Sequence, residues 1–291
     1  MQKNRFKSLI HFHFIVFIFG FTAILGSLIT IGSVKLVWYR MLIASLSLFL
    51  ISFFLGKNIF ISKRMLFKLL FCGFIISMHW VFFFQAIKLS NVSITLSILS
   101  LGAFLTSFLE PLFYRKKIIL YEVFLGLLVV TGTIIIFNTQ FHYLEGILFA
   151  FGSVLFSVFF TLLNGKLVGR ISSFTISFYE LVGGLITVSF ILLINNDFNL
   201  NLFNLKPTDL GWLLILGTVC TAYAFVISVD VMKHLSPYSL MLSINMEPIY
   251  GIILAIIILN ESNDMSFEFY LGFIMIFMAV IMNGIFKLKQ K

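Results

Sequence analysis

Charge is scarce in this chain. Asp, Glu, Lys and Arg together make up 11% of its 291 residues, against 60% hydrophobic residues. No polar stretch is long enough to enclose a water-soluble core, so the usual division of length into soluble domains does not apply. Cysteine is almost absent as well. The two thiols, Cys72 and Cys220, fall inside apolar stretches, which argues against a disulfide framework or a metal site and leaves them as small buried hydrophobes. Also missing are a phosphate-binding loop, a Gly-x-Ser-x-Gly nucleophile elbow, a His-Glu-x-x-His zinc pair and a selectivity-filter signature. ATP-driven pumping and the usual hydrolytic chemistries therefore have no local support. Neither an enzyme nor a cofactor or metal is expected.

What is present is ten apolar runs, over 11–31, 35–56, 66–87, 92–113, 119–138, 145–164, 174–194, 209–230, 238–259 and 268–287. A hydrocarbon core of ~30 Å takes about twenty helical residues to cross, and backbone amides in lipid must be satisfied within their own segment. The expected fold is an all-α integral membrane protein of ten transmembrane helices. Basic residues precede the first run, but it has full span length and no small-x-small cleavage site, so it reads as a span and not as a signal peptide.

A formal charge of +9 would suit nucleic acid, yet the charges mark loops and form no patch. With the amino terminus inside, sixteen basic residues fall on the inner side and only Lys35, Lys88 and Lys206 on the outer side. Arg40 lies within a span, and the acidic loop of Glu261, Asp264 and Glu268 faces outward. This is the positive-inside bias of an even number of helices with both termini cytoplasmic. The predicted location is the inner (plasma) membrane, with lipid as a partner and no nucleic acid.

Shifting the chain by 146 residues aligns Leu89-Ser90 with Leu235-Ser236, Ser93 with Ser239, Leu96-Ser97-Ile98 with Leu242-Ser243-Ile244, and Leu125-Gly126 with Leu271-Gly272. Upstream, Tyr39-Arg40 resembles Tyr179-Glu180, six residues out of that register. Two copies, 1–140 and 141–291, would each hold five helices within one structural domain. An odd number forces opposite orientations on the two copies. Such inverted repeats underlie many alternating-access transporters, whose substrate site lies near the midplane between the halves. Internal twofold symmetry makes a monomer sufficient and leaves a homodimer open.

The motifs at the ends of these spans carry a family likeness. Leu235-Ser236-Pro237, Asn245-Met246-Glu247-Pro248-Ile249-Tyr250-Gly251, Leu259-Asn260-Glu261 and Gly272, with Leu89-Ser90-Asn91, Glu110-Pro111-Leu112 and Gly126 in the first copy, resemble the EamA branch of the drug/metabolite transporter superfamily. The resemblance covers essentially the whole chain. It implies a carrier of small organic metabolites, often an exporter of amino acids or related compounds, with a central cavity formed by both halves. The copies are chemically unequal: Leu101-Gly102 stands where the second has Glu247-Pro248, and Arg115 where it has Glu261. No carboxylate lies in span 1, so a coupling scheme built on an acid there does not transfer.

Ionisable side chains at mid-bilayer cost at least a few kcal/mol and call for a cavity, a partner or a role. Glu247 sits about ten residues into span 9, hence ~15 Å deep at 1.5 Å per residue. Ser239, Ser243, Glu247 and Tyr250 fall along one helical stripe, matched by Ser93 and Ser97 on span 4, and two such stripes would suit a shared hydrophilic cavity. The competing reading is that small hydroxyl residues let helices pack closely. Pro248 permits a kink and is the candidate hinge. His79, mid-span 3, would pair with Glu247 as a proton carrier, or else act as a neutral hydrogen-bonder between helices. Trp80 and Phe83 beside it would line the site. Arg40, in the outer part of span 2, would attract a carboxylate at the outer mouth, or snorkel to the interface. The substrate-binding candidates are thus His79, Trp80, Phe83, Ser97, Ser243, Asn245, Glu247, Tyr250 and Arg40, with Glu247 and His79 as proton-coupling candidates. Glu110 with the Arg115-Lys116-Lys117 run, and Asp230 with Lys233, read as structural pairs. The expected function is secondary transport of a small organic metabolite. The rivals are a channel or membrane assembly partner, and an intramembrane lipid-modifying enzyme.

Overall fold

The computed structural model describes residues 2–57, 59–139 and 141–289. Several charges of the orientation argument (Lys3, Arg5, Lys7, Asp264, Lys287, Lys289 and Lys291) lie outside the described side chains. Regular structure among the described residues is helical: α1 (Gln2–Leu28), α2 (Ser33–Phe54), α3 (Lys63–Leu89), α4 (Val92–Leu99), α5 (Leu101–Tyr114), α6 (Leu120–Thr139), α7 (Leu144–Leu167), α8 (Ser173–Ile194), α9 (Pro207–Gly217), α10 (Ala224–Val231), α11 (Pro237–Ile244), α12 (Glu247–Leu259) and α13 (Phe267–Lys289). Helix covers each apolar run. Eight helical stretches, counting α4–α5, α9–α10 and α11–α12 as one each, are long and apolar enough to cross a membrane. Leu120–Ile136 and Phe267–Ala279 are shorter apolar helices among the described residues.

The boundaries follow capping chemistry. Asn91, Ser172 and Ser236 each accept a backbone N–H of the first turn that follows them, which satisfies donors that a helix start leaves free. Pro237 sits in the first turn of α11, where its missing N–H costs nothing. At the far ends, Arg115 and Asn260 take the left-handed conformation and stop α5 and α12.

Three stretches are interrupted. The fourth breaks at Ser100 and the ninth at Asn245 and Met246, while the eighth widens into a π turn over Thr218–Tyr223. Pro248, the expected hinge, lies in the first turn of α12, just after the break. The first-copy break has no proline, so proline is not what the two interruptions share.

The fourth and ninth stretches run side by side and are tied at three levels. At one end, the Glu261 carboxylate accepts from the N–H groups of Val92 and Ser93 (3.0 and 2.9 Å) and from Ser93 Oγ (2.6 Å). At the breaks, Asn245 Nδ2 donates to the Ser100 carbonyl at 3.1 Å. At the other end, Glu110 accepts from the N–H of Tyr238 at 2.6 Å while paired with Lys116. Each helix start is therefore held by a carboxylate at the end of the other stretch, where the helix dipole favours negative charge. Elsewhere α3 packs on α7 and α8, α2 on α8 and α9, α1 on α12, and α6 on α13. The α6–α13 contact needs glycine on both sides: a Cβ on Gly132 would stand 2.6 Å from the Gly272 carbonyl oxygen, and one on Gly272 would stand 2.5 Å from that of Gly132.

Candidate functional site

Among the described residues Arg40 is the largest fully buried side chain. Its Nε donates to Thr221 Oγ1 at 2.6 Å, and Thr221 in turn donates to the Leu216 carbonyl five residues back. The π turn sets that geometry, since an ordinary helix would bond four residues back. The guanidinium lies over the Trp80 ring, 3.8 Å from its centroid, and 5.5 Å from that of Phe84. Its Nη1 has no hydrogen-bond partner.

Arg40 and Glu247 both line one internal cavity of about 860 Å³ of empty space, mouth included. Its walls come from both halves of the chain: Phe19 and Thr22 of α1, His79, Trp80 and Phe83 of α3, Phe160 and Thr161 of α7, Phe225 of α10 and Met241 of α11. No ion pair within 4.0 Å joins Arg40 to Glu247 among the described residues, whose ion pairs are Lys35–Asp197, Lys116–Glu110 and Lys233–Asp230. A guanidinium and a carboxyl group thus face one apolar cavity without an ion-pair contact between them. Trp80, Phe225 and Phe160 form a continuous aromatic wall, with ring centroids 5.6 and 5.5 Å apart.

The nine candidates divide. Arg40, His79, Trp80, Phe83 and Glu247 line the cavity. Arg40, expected at the outer mouth, shares the cavity with Glu247 and does not snorkel; it is 2% exposed. His79 is not hydrogen-bonded to Glu247. Its Nδ1 engages Ser153, at 2.8 Å to Oγ and 2.9 Å to the carbonyl oxygen. Ser97, Ser243, Asn245 and Tyr250 lie outside the cavity lining. Ser97 and Ser243 donate to the carbonyls of Ser93 and Ser239, one turn back, the usual resort of a hydroxyl within a helix. Asn245 bridges the two breaks, and the Tyr250 hydroxyl bonds to His13 Nε2. The serine stripes therefore face helix contacts, and the polar groups of the cavity come chiefly from other spans.

The EamA-like transporter family matches residues 7–138 and again 144–285. The chain belongs to the EamA-like transporter family. It is thus a member of the drug/metabolite transporter superfamily and a multi-pass membrane transporter. A relative from Bacillus subtilis (strain 168), the uncharacterized transporter YxxF, is 27% identical over 298 aligned positions, which cover 97% of this chain and 91% of that protein. A crystal structure superposes with a TM-score of 0.70 over 94% of this chain and 96% of its own, at 12% identity, a likeness of fold alone.

In this EamA-like protein, sequence reasoning passed over Thr221, Phe160 and Phe225. One signal was available for Thr221: Arg40 inside an apolar run requires an acceptor, and Thr221 is one of few polar side chains in the run that packs against α2. Nothing marked the two phenylalanines among the 38 in the chain.

Proposed function

We propose that the protein is a secondary transporter of the cytoplasmic membrane that moves a small zwitterionic metabolite, an amino acid or close relative with an apolar or aromatic side chain, by alternating access. One observation carries the reading: a buried arginine with an unpartnered Nη1 shares an apolar, aromatic-walled cavity with Glu247, which makes no ion pair among the described residues. A guanidinium presents a planar fork that suits a carboxylate. Glu247 would meet the ammonium group, and Trp80, Phe83, Phe160 and Phe225 would cover the side chain. Export over import rests on family resemblance alone.

Ten spans in two inverted five-helix copies are part of this proposal. The reciprocal carboxylate caps and the facing breaks at Ser100 and Asn245 support it, because spans 4 and 9 of an inverted repeat run antiparallel across the pseudo-twofold axis. Discontinuous helices near the midplane are a recurrent feature of such carriers. Both termini would be cytoplasmic. The intramembrane-enzyme alternative draws less support, since its acid–base pair, His79 and Glu247, shares no hydrogen bond.

The test is counterflow of labelled amino acids, aromatic ones included, in proteoliposomes with and without a pH gradient. Saturable exchange of one compound, slowed at least about tenfold in Arg40→Lys, is the expected result. No exchange across the panel would overturn the amino-acid reading, and unsaturable flux would favour a channel.

A further inference from the structure

A second buried polar cluster lies beside the cavity without opening into it. Glu180 of α8 is completely enclosed. Its Oε2 accepts a 3.2 Å hydrogen bond from Asn164 Nδ2 of α7, and its Oε1 has no partner. Asn164 Oδ1 and Ser177 Oγ are buried and equally without partners. Ser177 stands three residues before Glu180, on the same face of α8, and the Cys72 thiol of α3 adjoins the carboxyl. None of these four residues lines the cavity, but Phe160 and Thr161, one turn from Asn164 on α7, do.

Buried polar atoms are nearly always paired, so three orphan oxygens on Glu180 and two residues of the helices that hold it need a reason. No lysine or arginine pairs with Glu180 among the described residues. The groups of each packed element go elsewhere. Arg40 of α2 is turned to Thr221 and the cavity, while Lys57, just beyond α2, covers the Phe174 ring. Asp230 of α10 accepts from Ser173 at the first turn of α8 and pairs with Lys233. Against the carboxyl itself α3 sets the Cys72 thiol, which hydrogen-bonds to it, and α7 sets the Asn164 amide. A carboxylate with no cationic partner in a membrane segment carries a heavy desolvation penalty, and the unmatched atoms of this cluster are oxygens, the ligands that hard cations prefer.

We propose that Glu180, Asn164 and Ser177 form a binding site for a monovalent cation, a proton or sodium, separate from the metabolite cavity. The ion neutralises the Glu180 carboxyl. Asn164 Oδ1 and Ser177 Oγ complete an oxygen shell for sodium; for a proton, they accept the hydrogen bond of the neutral acid. An ion held between Asn164 and Glu180 ties α7 to α8, and its release frees the helix that carries Phe160 and Thr161 in the cavity wall. Ion occupancy would thereby bias the conformation of the cavity. This coupling role rests on the transporter reading, whereas ion binding itself is measurable without any metabolite, so the two fail separately.

The experiment uses the full chain in proteoliposomes. Infrared difference spectra between acid and alkaline pH report a titrating buried carboxyl, and equilibrium binding of radioactive sodium reports the metal ion. The expected result is a carboxyl signal, or one equivalent of saturable sodium binding, that is lost in Glu180→Gln and kept in Glu247→Gln. Where Glu180→Gln does not yield folded protein, Asn164→Ala is expected to shift the titration midpoint by about one pH unit or the sodium affinity about tenfold, as loss of a hydrogen bond to a charged group implies. Neither signal in the wild type, or signals unchanged in both Glu180→Gln and Asn164→Ala, would overturn the proposal.

Discussion

Arg40 shows how far a residue's chemistry can be read before its surroundings are known. Counting along span 2 gave its depth, and its charge called for a partner or a role. Which way it points was not in the count. The structure turns it inward over Trp80, with one nitrogen left free. Lysine would keep the charge but lose the planar fork and the stacking. Arg40→Lys should therefore lower the counterflow rate at least about tenfold, the equivalent of the ~1–2 kcal/mol of a desolvated cation–π contact. Its melting temperature in detergent should change far less, and equal losses of rate and of folded protein would mark Arg40 as structural. Trp80→Phe should retain more exchange than Trp80→Ala, because a smaller ring still offers a face to the guanidinium. His79 makes the complementary point. Its place mid-span was legible, but the Ser153 contacts depend on a helix 74 residues away in sequence.

At the scale of elements, the fourth and ninth stretches are tied to each other at both ends and at their breaks. Glu261 was legible only as part of an outward acidic loop, yet it accepts three hydrogen bonds at the start of α4. Glu261→Gln, which leaves one oxygen acceptor and no charge, should destabilise the protein by on the order of 2 kcal/mol. A lower midpoint of thermal unfolding would show this. Glu268→Gln, at the exposed start of α13, is the control and should change little. The α6–α13 contact is tested by Gly132→Ala, whose added methyl meets a carbonyl oxygen at 2.6 Å. Overpacking of this kind costs about 1–3 kcal/mol, so a variant as stable as the wild type would mean that the two helices do not meet there. The apolar runs were readable because their length follows from local composition. The breaks were not, since one lacks the proline that drew attention to the other.

For the molecule as a whole, the orientation argument makes a direct prediction. A reporter fused after Lys291 that is active only in the cytoplasm should be active, and one that requires an oxidising exterior should not. The reverse pattern would imply an odd number of crossings or an inverted chain. The sequence by itself determined that the chain is all-helical, that it lives in a membrane, where its apolar runs lie, and which transporter family it belongs to. Those properties rest on apolar length and motif order, which are readable along one dimension. Only the tertiary structure decided which polar side chains share a cavity. Arg40 and Glu247 lie 207 residues apart and on helices that are apolar on nearly every face. With no amphipathic stripe to orient such helices, their rotation is set by packing against one another, through contacts such as those of Thr221, Asn245 and the paired glycines.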